Sequence, residues 1–351
     1  MGTLLLAFAG CNPKGGETKT NHQMLSKNIE YDVTVNNFKN ICKWGLTDAN
    51  DNWYRYNLEG SVRSGYVELL FKNAFAGKLD LYDMNDKKID TTELKKIMTI
   101  TDSLKVEIGK KLVDTVIKKN ISPDEITALR FREEWTYDPA TMAVGKKVLA
   151  IAPIRTPVIN DNEGKEIYGK DKALFWVKFS NEPSNTNVLT KRIMSATMYG
   201  NPKDPYNAKN ADTKELITYM DKFCNKIYKD SIDAYDPAGF MVNQQEQISG
   251  KDLYRLLNRV DTIKSKNGKD TVIKAGPFIS DIRFLEEWNF DPATMAIQKT
   301  VVGICPVVAL YEQDGTTFKG YMPCFWVYFK DIWAPFDGKL ELKKLEKKKE
   351  K

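Results

Sequence analysis

A chain that carries nearly the same thirteen residues twice is constrained more by that repetition than by anything else in it. Phe131 to Ala143 reads FREEWTYDPATMA and Phe284 to Ala296 reads FLEEWNFDPATMA, with ten of the thirteen positions identical and in register. The offset, 284 − 131 = 153, also carries LDLYD (Leu79 to Asp83) onto IDAYD (Ile232 to Asp236) and AIAP (Ala150 to Pro153) onto GICP (Gly303 to Pro306). FWVKF (Phe175 to Phe179) and FWVYF (Phe325 to Phe329) repeat at an offset of 150, so a three-residue length difference lies in the loop before them. The chain is a tandem duplication of a unit of about 140 residues, the size of an ordinary single domain.

Within each unit the hydrophobic period changes once. Val67, Leu70, Phe71, Ala74 and Phe75 recur at helical spacing in the first copy, as do Leu216, Met220, Phe223 and Ile227 in the second. The DLYD or DAYD segment then reads as a turn or edge strand. A second short helix is predicted from about Thr92 to Met98 and from Gly250 to Val260, the latter capped by Ser249. After that the period becomes two: Ile282, Phe284, Glu286, Trp288 and Phe290 share one strand face, opposite Arg283, Leu285, Glu287 and Asn289. TVVGICPVVALY is apolar throughout, which predicts a strand buried on both faces. It turns at EQDG and returns as TFKGYMPCFWVYF, and the first copy turns likewise near NDNEG. NFKNICKW and LTKRIMSA, which precede the two copies, read as lead-in helices. The expected class is α+β, a tandem repeat of two similar domains, each with N-terminal helices followed by an antiparallel meander and hairpin. The expected layout is a signal remnant and flexible tether over 1–37, repeats over 38–182 and 190–333, and a Lys-rich tail over 334–351.

Charge points away from nucleic acid. The formal net charge is +6, but Lys339 to Lys351 holds seven lysines and three glutamates, 7 − 3 = +4 of it, and the rest of the chain is close to neutral. The opening MGTLLLAFAGC ends in small residues before Cys11, as a bacterial lipoprotein signal does before its acylated cysteine; the alternative is a clipped ordinary signal with an incidental cysteine. Residues 12 to 37, rich in Gly, Lys, Thr and Asn, read as a tether. The expected location is the periplasmic face of the outer membrane. Cys305 aligns with Ala152 and Cys324 with Leu174, so no disulfide framework is shared by the copies. A hairpin turning at Asp314-Gly315 would oppose residues summing to 629, and 305 + 324 is 629; a bridge between the two or a pair of buried thiols are the alternatives.

Little catalytic chemistry is available. The one histidine, His22, falls in the expected tether, which removes histidine triads and histidine-bound metals from the folded body. Phosphate loops and CxxC pairs are missing from the sequence. DMNDKKIDTTE has Asp83, Asn85, Asp86 and Asp90, but Lys87 and Lys88 stand where a calcium loop needs an oxygen ligand at its fifth position and glycine at its sixth. Glu133, Glu134 and Asp138, with Glu286, Glu287 and Asp291, are the remaining candidates for acid–base work. Adjacent strand residues point to opposite faces, so a neighbouring pair of glutamates is no glycosidase pair. The structural alternative has one glutamate of each pair meeting a lysine or arginine across the sheet, with Asp-Pro starting a turn.

Trp288, Phe290 and Asp291, then VVGICP (Val301 to Pro306), then FKGYMPCFWVYF (Phe318 to Phe329) resemble the core of the GldN/PorN family of gliding-motility and type IX secretion components, which reads E-E-W-x-F-D, I-I-G-I-x-P and F-K-G-Y-x-x-x-F-W-x-Y-F. FCNKIYKDSIDAYD (Phe223 to Asp236) matches upstream, and the first copy is a weaker version in which FKGY has become EIYGK. The resemblance implies a non-enzymatic assembly protein without cofactor or metal. Its implied partners are a ring-forming outer-membrane lipoprotein and the periplasmic part of the secretion motor. In this reading Trp135, Asp138, Phe175, Trp176, Trp288, Asp291, Phe325 and Trp326 define the fold or an interface. The competing expectation is an envelope lipoprotein that stacks a glycan or small ligand on exposed Trp135, Trp176, Trp288 and Trp326.

Overall fold

The computed structural model of the chain describes residues 22–34, 61–108, 111–160, 166–180, 182–198, 209, 211–237, 246–258, 260–264, 270–274, 279–311 and 318–330. Cys11, Cys42, the NFKNICKW segment and the Lys-rich tail lie outside them. Among the described residues the structure is strand-rich, with four α-helices and antiparallel sheets. Six long strands form its spine: β1 (Gln23–Thr34), β2 (Ile126–Tyr137), β3 (Val144–Arg155), β4 (Asn187–Met198), β5 (Ile279–Phe290) and β6 (Ile297–Tyr311). The helices are α1 (Ser61–Phe75), α2 (Thr91–Ile97), α3 (Thr213–Tyr228) and α4 (Gly250–Leu257). The short helices start where their caps dictate: Asp90 accepts from the Thr92 and Glu93 amides, and Ser249 from that of Asp252.

The spatial order of the strands is β1-β2-β3-β6-β5-β4, so each copy contributes three neighbouring strands and the copies join at β3 and β6. The junction is antiparallel, with Lys146 opposite Lys299, Lys147 opposite Gln298 and Gly145 opposite Thr300. Because 146 + 153 = 299, the pairing is centred on the same position of each repeat. A pseudo-two-fold axis therefore runs through the middle of the sheet.

Two expectations change here. The repeats expected as separate domains share one sheet and one core, which runs without a break from Leu25, Phe131 and Trp135 to Phe284, Trp288 and Phe325. The lead-in LTKRIMSA belongs to strand β4, and its counterpart in copy one is LSKNIEYD, found in β1 where a tether was expected. Leu25, Ser26 and Ile29 are buried while Lys27 and Asn28 between them are exposed, a helix-like pattern that arises because β1 bulges twice, between Met24 and Ser26 and between Ser26 and Ile29; β4 bulges at the equivalent places. Each bulge shifts the alternation by one, so Lys27, which would share the inward face of Leu25 and Ile29 in a regular strand, is exposed. β1 is further fastened to β2 by directly opposed ion pairs, Glu30 with Arg132 and Asp32 with Arg130.

The helices exchange between copies. α1 of the first copy packs on β4 of the second, and α3 of the second packs on β1 of the first. Each also keeps a contact at home, Phe71 with Phe175 and Phe223 with Phe325. The other face of the sheet carries two smaller clusters, Ala150, Ala152 and Trp176 in copy one and Leu285, Val302, Cys305, Val307 and Trp326 in copy two. That division explains the continuously apolar run of β6: Val301, Ile304 and Val308 serve the main core while Val302, Cys305 and Val307 serve the far face.

The same division separates the two cysteines. Val307 pairs with Pro323 and Val308 with Met322, so opposed residues sum to 630, and Cys324 N–H donates to the Pro306 carbonyl, not to Cys305. The one-residue difference places Cys305 in the far-face cluster and Cys324 in the main core, both as free thiols. The bridge considered from the hairpin arithmetic is thus excluded by register. Burial pushes the Cys305 thiol up to about 12, so it stays protonated and unreactive in the fold. Alkylating the unfolded, unreduced protein should label both residues in peptide mass analysis; a recovered Cys305–Cys324 bridge would contradict this register.

Candidate functional site

The titratable groups that concentrate in this molecule meet at the pseudo-two-fold axis. Lys146 of copy one pairs with Glu286 of copy two at 2.5 Å, and Lys299 of copy two pairs with Glu133 of copy one at 2.7 Å. All four side chains have zero exposure. The second oxygen of each carboxylate is taken by an indole two residues along its own strand: Trp135 Nε1 donates to Glu133 Oε2 and Trp288 Nε1 to Glu286 Oε2, each at 2.7 Å. Each ammonium sits between two aromatic faces. Lys146 lies 4.2 Å from the Trp135 ring centre and 3.5 Å from that of Phe284; Lys299 lies 4.2 Å from Trp288 and 3.2 Å from Phe131. Cation–π attraction is largest where, as here, water is excluded. The rings also close on each other edge to face, Phe131 on Trp288 at 4.9 Å and Trp135 on Phe284 at 5.0 Å. One element breaks the symmetry: Tyr31 donates its hydroxyl to Glu133 Oε2 and accepts from Lys299.

The strands produce this arrangement from a simple rule. Phe, Glu and Trp at positions i, i+2 and i+4 share a face of β2 and of β5, and the lysine stands opposite the tryptophan on the next strand. Both ladders are interrupted beside the glutamate, between Arg132 and Glu133 and between Leu285 and Glu286, as bulges near a specialised side chain often do. Two lysines directly opposed across the junction would repel, and each is neutralised by the other copy's glutamate. Burial alone would raise the Glu286 carboxyl, but the Lys146 and Lys299 charges outweigh it and hold the group below its ordinary value of 4.5. Burial pulls the Lys299 ammonium below its ordinary 10.5 against the pull of Glu133 and Glu286.

The sign of the pH dependence follows for Glu286. Its folded pKa is depressed, so its contribution is present above the unfolded value and is lost as pH falls through the folded one. The thermal midpoint should therefore drop between about pH 5 and pH 3, and less steeply in Glu286→Gln. Equal slopes in the two proteins would mean that Glu286 does not carry this linkage.

The remainder of the repeated phrase serves the same junction. Asp138 accepts from the Ala140 amide and the Thr141 hydroxyl, and Asp291 from the Ala293 amide, so each Asp-Pro starts a turn. The turns end on Met142 and Met295 with φ of 62° and 61°, left-handed backbone that a non-glycine residue adopts only when its surroundings hold it. What holds it comes from the other copy: Tyr219 donates to the Met142 carbonyl at 2.7 Å and Tyr66 to the Met295 carbonyl at 2.8 Å. Tyr66 also packs edge-on to Phe290, and Tyr219 to Tyr137.

The residues singled out in the sequence are distributed as follows. Trp135, Phe175, Trp288 and Phe325 lie in the main core, and Trp176 and Trp326 lie in the far-face clusters; all six are buried. None of the four tryptophans offers an exposed stacking surface. Glu133 and Glu286 join the ionic cluster, whereas Glu287 meets Lys330 at the surface. Lys146, Lys299, Tyr66 and Tyr219 were missed, although the offset of 153 maps one lysine onto the other and one tyrosine onto the other. An open groove of about 720 Å³ lies elsewhere, between β1 and the start of α3, lined among others by Met24, Lys27, Asp212 and Glu215. Among the described residues no group of acidic, His or Cys side chains is arranged to hold a metal ion.

Fold and cluster together define a class: an internally duplicated, antiparallel α+β protein whose most repeated motif joins its own copies. The family model described as gliding motility associated protein GldN matches it twice, over residues 46–212 and 189–336. The chain belongs to the GldN family, with the core duplicated. No curated protein matches it.

Proposed function

We propose that this chain is a non-enzymatic structural component of the gliding-motility and type IX secretion machinery. The observation that carries the reading is the double match to the GldN family across most of the chain. The geometry supports it: of the carboxylates considered for acid–base work, Glu133 and Glu286 are paired inside the fold, where substrate has no access, Glu287 pairs with Lys330, and Asp138 and Asp291 hold turns. The tryptophans that a glycan-binding reading needs are buried. In this proposal the protein works in the periplasm, tethered to the outer membrane through a lipid on Cys11. It contacts a ring-forming outer-membrane lipoprotein and the periplasmic part of the motor through its exterior.

The test is affinity purification of the tagged full chain from detergent-solubilised envelopes, with retained proteins identified by mass spectrometry. Retention of secretion or gliding ring proteins is the expected result. Recovery of the chain alone from the membrane fraction would overturn the assembly role. Cys11→Ser should move the protein out of the membrane fraction, and its staying there would overturn the anchor.

A further inference from the structure

We propose that each half of this chain carries a self-complementary docking face, so that the equivalent half of a second copy of this chain can take the place of its own other half. The inference rests on the junction's geometry and is independent of the secretion role.

An isologous interface is recognised by reciprocity: residue i of one unit meets j of the other, and j meets i. Here the Lys146–Glu286 contact is answered by Lys299–Glu133, Phe131–Trp288 by Phe284–Trp135, and Tyr66–Met295 by Tyr219–Met142. The outlying contacts come within one residue of the same reciprocity: Asn73 donates to the Pro292 carbonyl, and Lys226, its equivalent at +153, to the Ala140 carbonyl, one residue past the equivalent of Pro292. Both members of every reciprocal pair are present within a single copy. Copy one alone holds Glu133, Trp135, Lys146, Phe131, Tyr66 and Met142, so two copy-one units possess the whole set.

A unit without a partner would be left with the cost of the design and none of the compensation. Its lysine and glutamate would lose their counter-charges, its helix would have no second copy to cover, and the edge of β3 or β6 would be unpaired. The docking face therefore has a readable signature, Phe-x-Glu-x-Trp with a lysine eleven residues after the tryptophan: Trp135 to Lys146 and Trp288 to Lys299. The duplicated chain is a pair of such units joined end to end. The joining segment raises the effective concentration of one unit for the other and keeps the pairing internal.

The experiment uses the full chain with a protease site inserted at Asn181, between the copies, cut after folding and analysed by native mass spectrometry. The two halves differ in mass, so the three possible pairs separate. The cut protein should persist as a copy-one/copy-two pair, and after incubation near its unfolding midpoint particles containing two copy-one halves should appear. A second version carries Glu133→Lys and Lys146→Glu together. That half opposes copy two at both ion pairs, since Glu would face Glu286 and Lys would face Lys299, but it complements itself. Copy-one pairs should become the main product. If neither version yields copy-one pairs and the halves are recovered singly or only as the original pair, the proposal fails.

Discussion

Lys146→Glu should be the most damaging single change in this protein, and Glu286→Lys should undo much of the damage. The reversal places two carboxylates against each other where every side chain has zero exposure. Merely removing one partner of a buried pair costs about 3–5 kcal/mol, and a like-charged replacement costs more than a neutral one. With Glu286→Lys added, one ion pair is restored with its ends exchanged, while Lys299–Glu133 is untouched. The control is Lys146→Glu with Glu133→Lys, which has the same composition as the rescuing double variant but leaves like charges at both pairs. Thermal unfolding of the three proteins decides the matter. Rescue by Glu286→Lys and not by Glu133→Lys means the pairing crosses between copies; equal rescue by both would contradict the assignment of partners.

Trp288→Ala should lower stability by about 3–5 kcal/mol, the range for deleting a large buried aromatic, and Trp135→Ala by a similar amount. Three losses coincide at Trp288. Its side chain is 3% exposed, so a cavity is left. Its indole N–H is the partner of Glu286 Oε2, so a buried carboxylate oxygen is orphaned. Its ring forms one wall around the Lys299 ammonium. Trp288→Phe keeps most of the volume and loses only the N–H, and should fall between wild type and Trp288→Ala. Denaturant unfolding measures all three, and a Trp288→Ala midpoint equal to wild type, with loss of partner binding, would make this residue an interface and not a core position.

These predictions rest on residues the sequence exposed unequally. Glu133 and Glu286 were visible as buried-side partners of Trp135 and Trp288 by period-two alternation, and the meeting of one glutamate of each pair with a basic residue was anticipated. Which basic residue was not. Lys146 and Lys299 sit in strands that read as apolar hairpin arms, and nothing local marks a lysine as buried, because the charge that stabilises it lies on the other copy, 140 residues away for Lys146 and 299 − 133 = 166 for Lys299. LSKNIEYD lay in a polar stretch that read as a tether, and the strand nature of LTKRIMSA was hidden for a different reason. Paired bulges convert alternation into an apparent helical spacing, and a bulge is a property of two strands in register, not of either one. The cysteine arithmetic failed by a single residue for the same cause: Tyr311 opposes Phe318, a sum of 629, but the irregularity between Leu310 and Tyr311 moves the rest of the ladder to 630, and one step moves a side chain to the other face.

By itself, then, the sequence determined that the chain is a duplication of one α+β unit, where the core helices and the closing hairpin strands of each unit lie, though not that LSKNIEYD and LTKRIMSA are strands, and which family the motifs belong to. Those are properties of local period, turn residues and repetition, all of which survive in one dimension. Only the tertiary structure decided that the two units are interlocked and not strung in series. Which helix covers which sheet, and which lysine meets which glutamate, depends on contacts between residues far apart in sequence, and the same local pattern is compatible with pairing at home or across the axis. Burial settles the choice: four charges taken out of water must each find an opposite charge nearby, and the antiparallel junction centred on Lys146 and Lys299 places each lysine beside the other copy's glutamate.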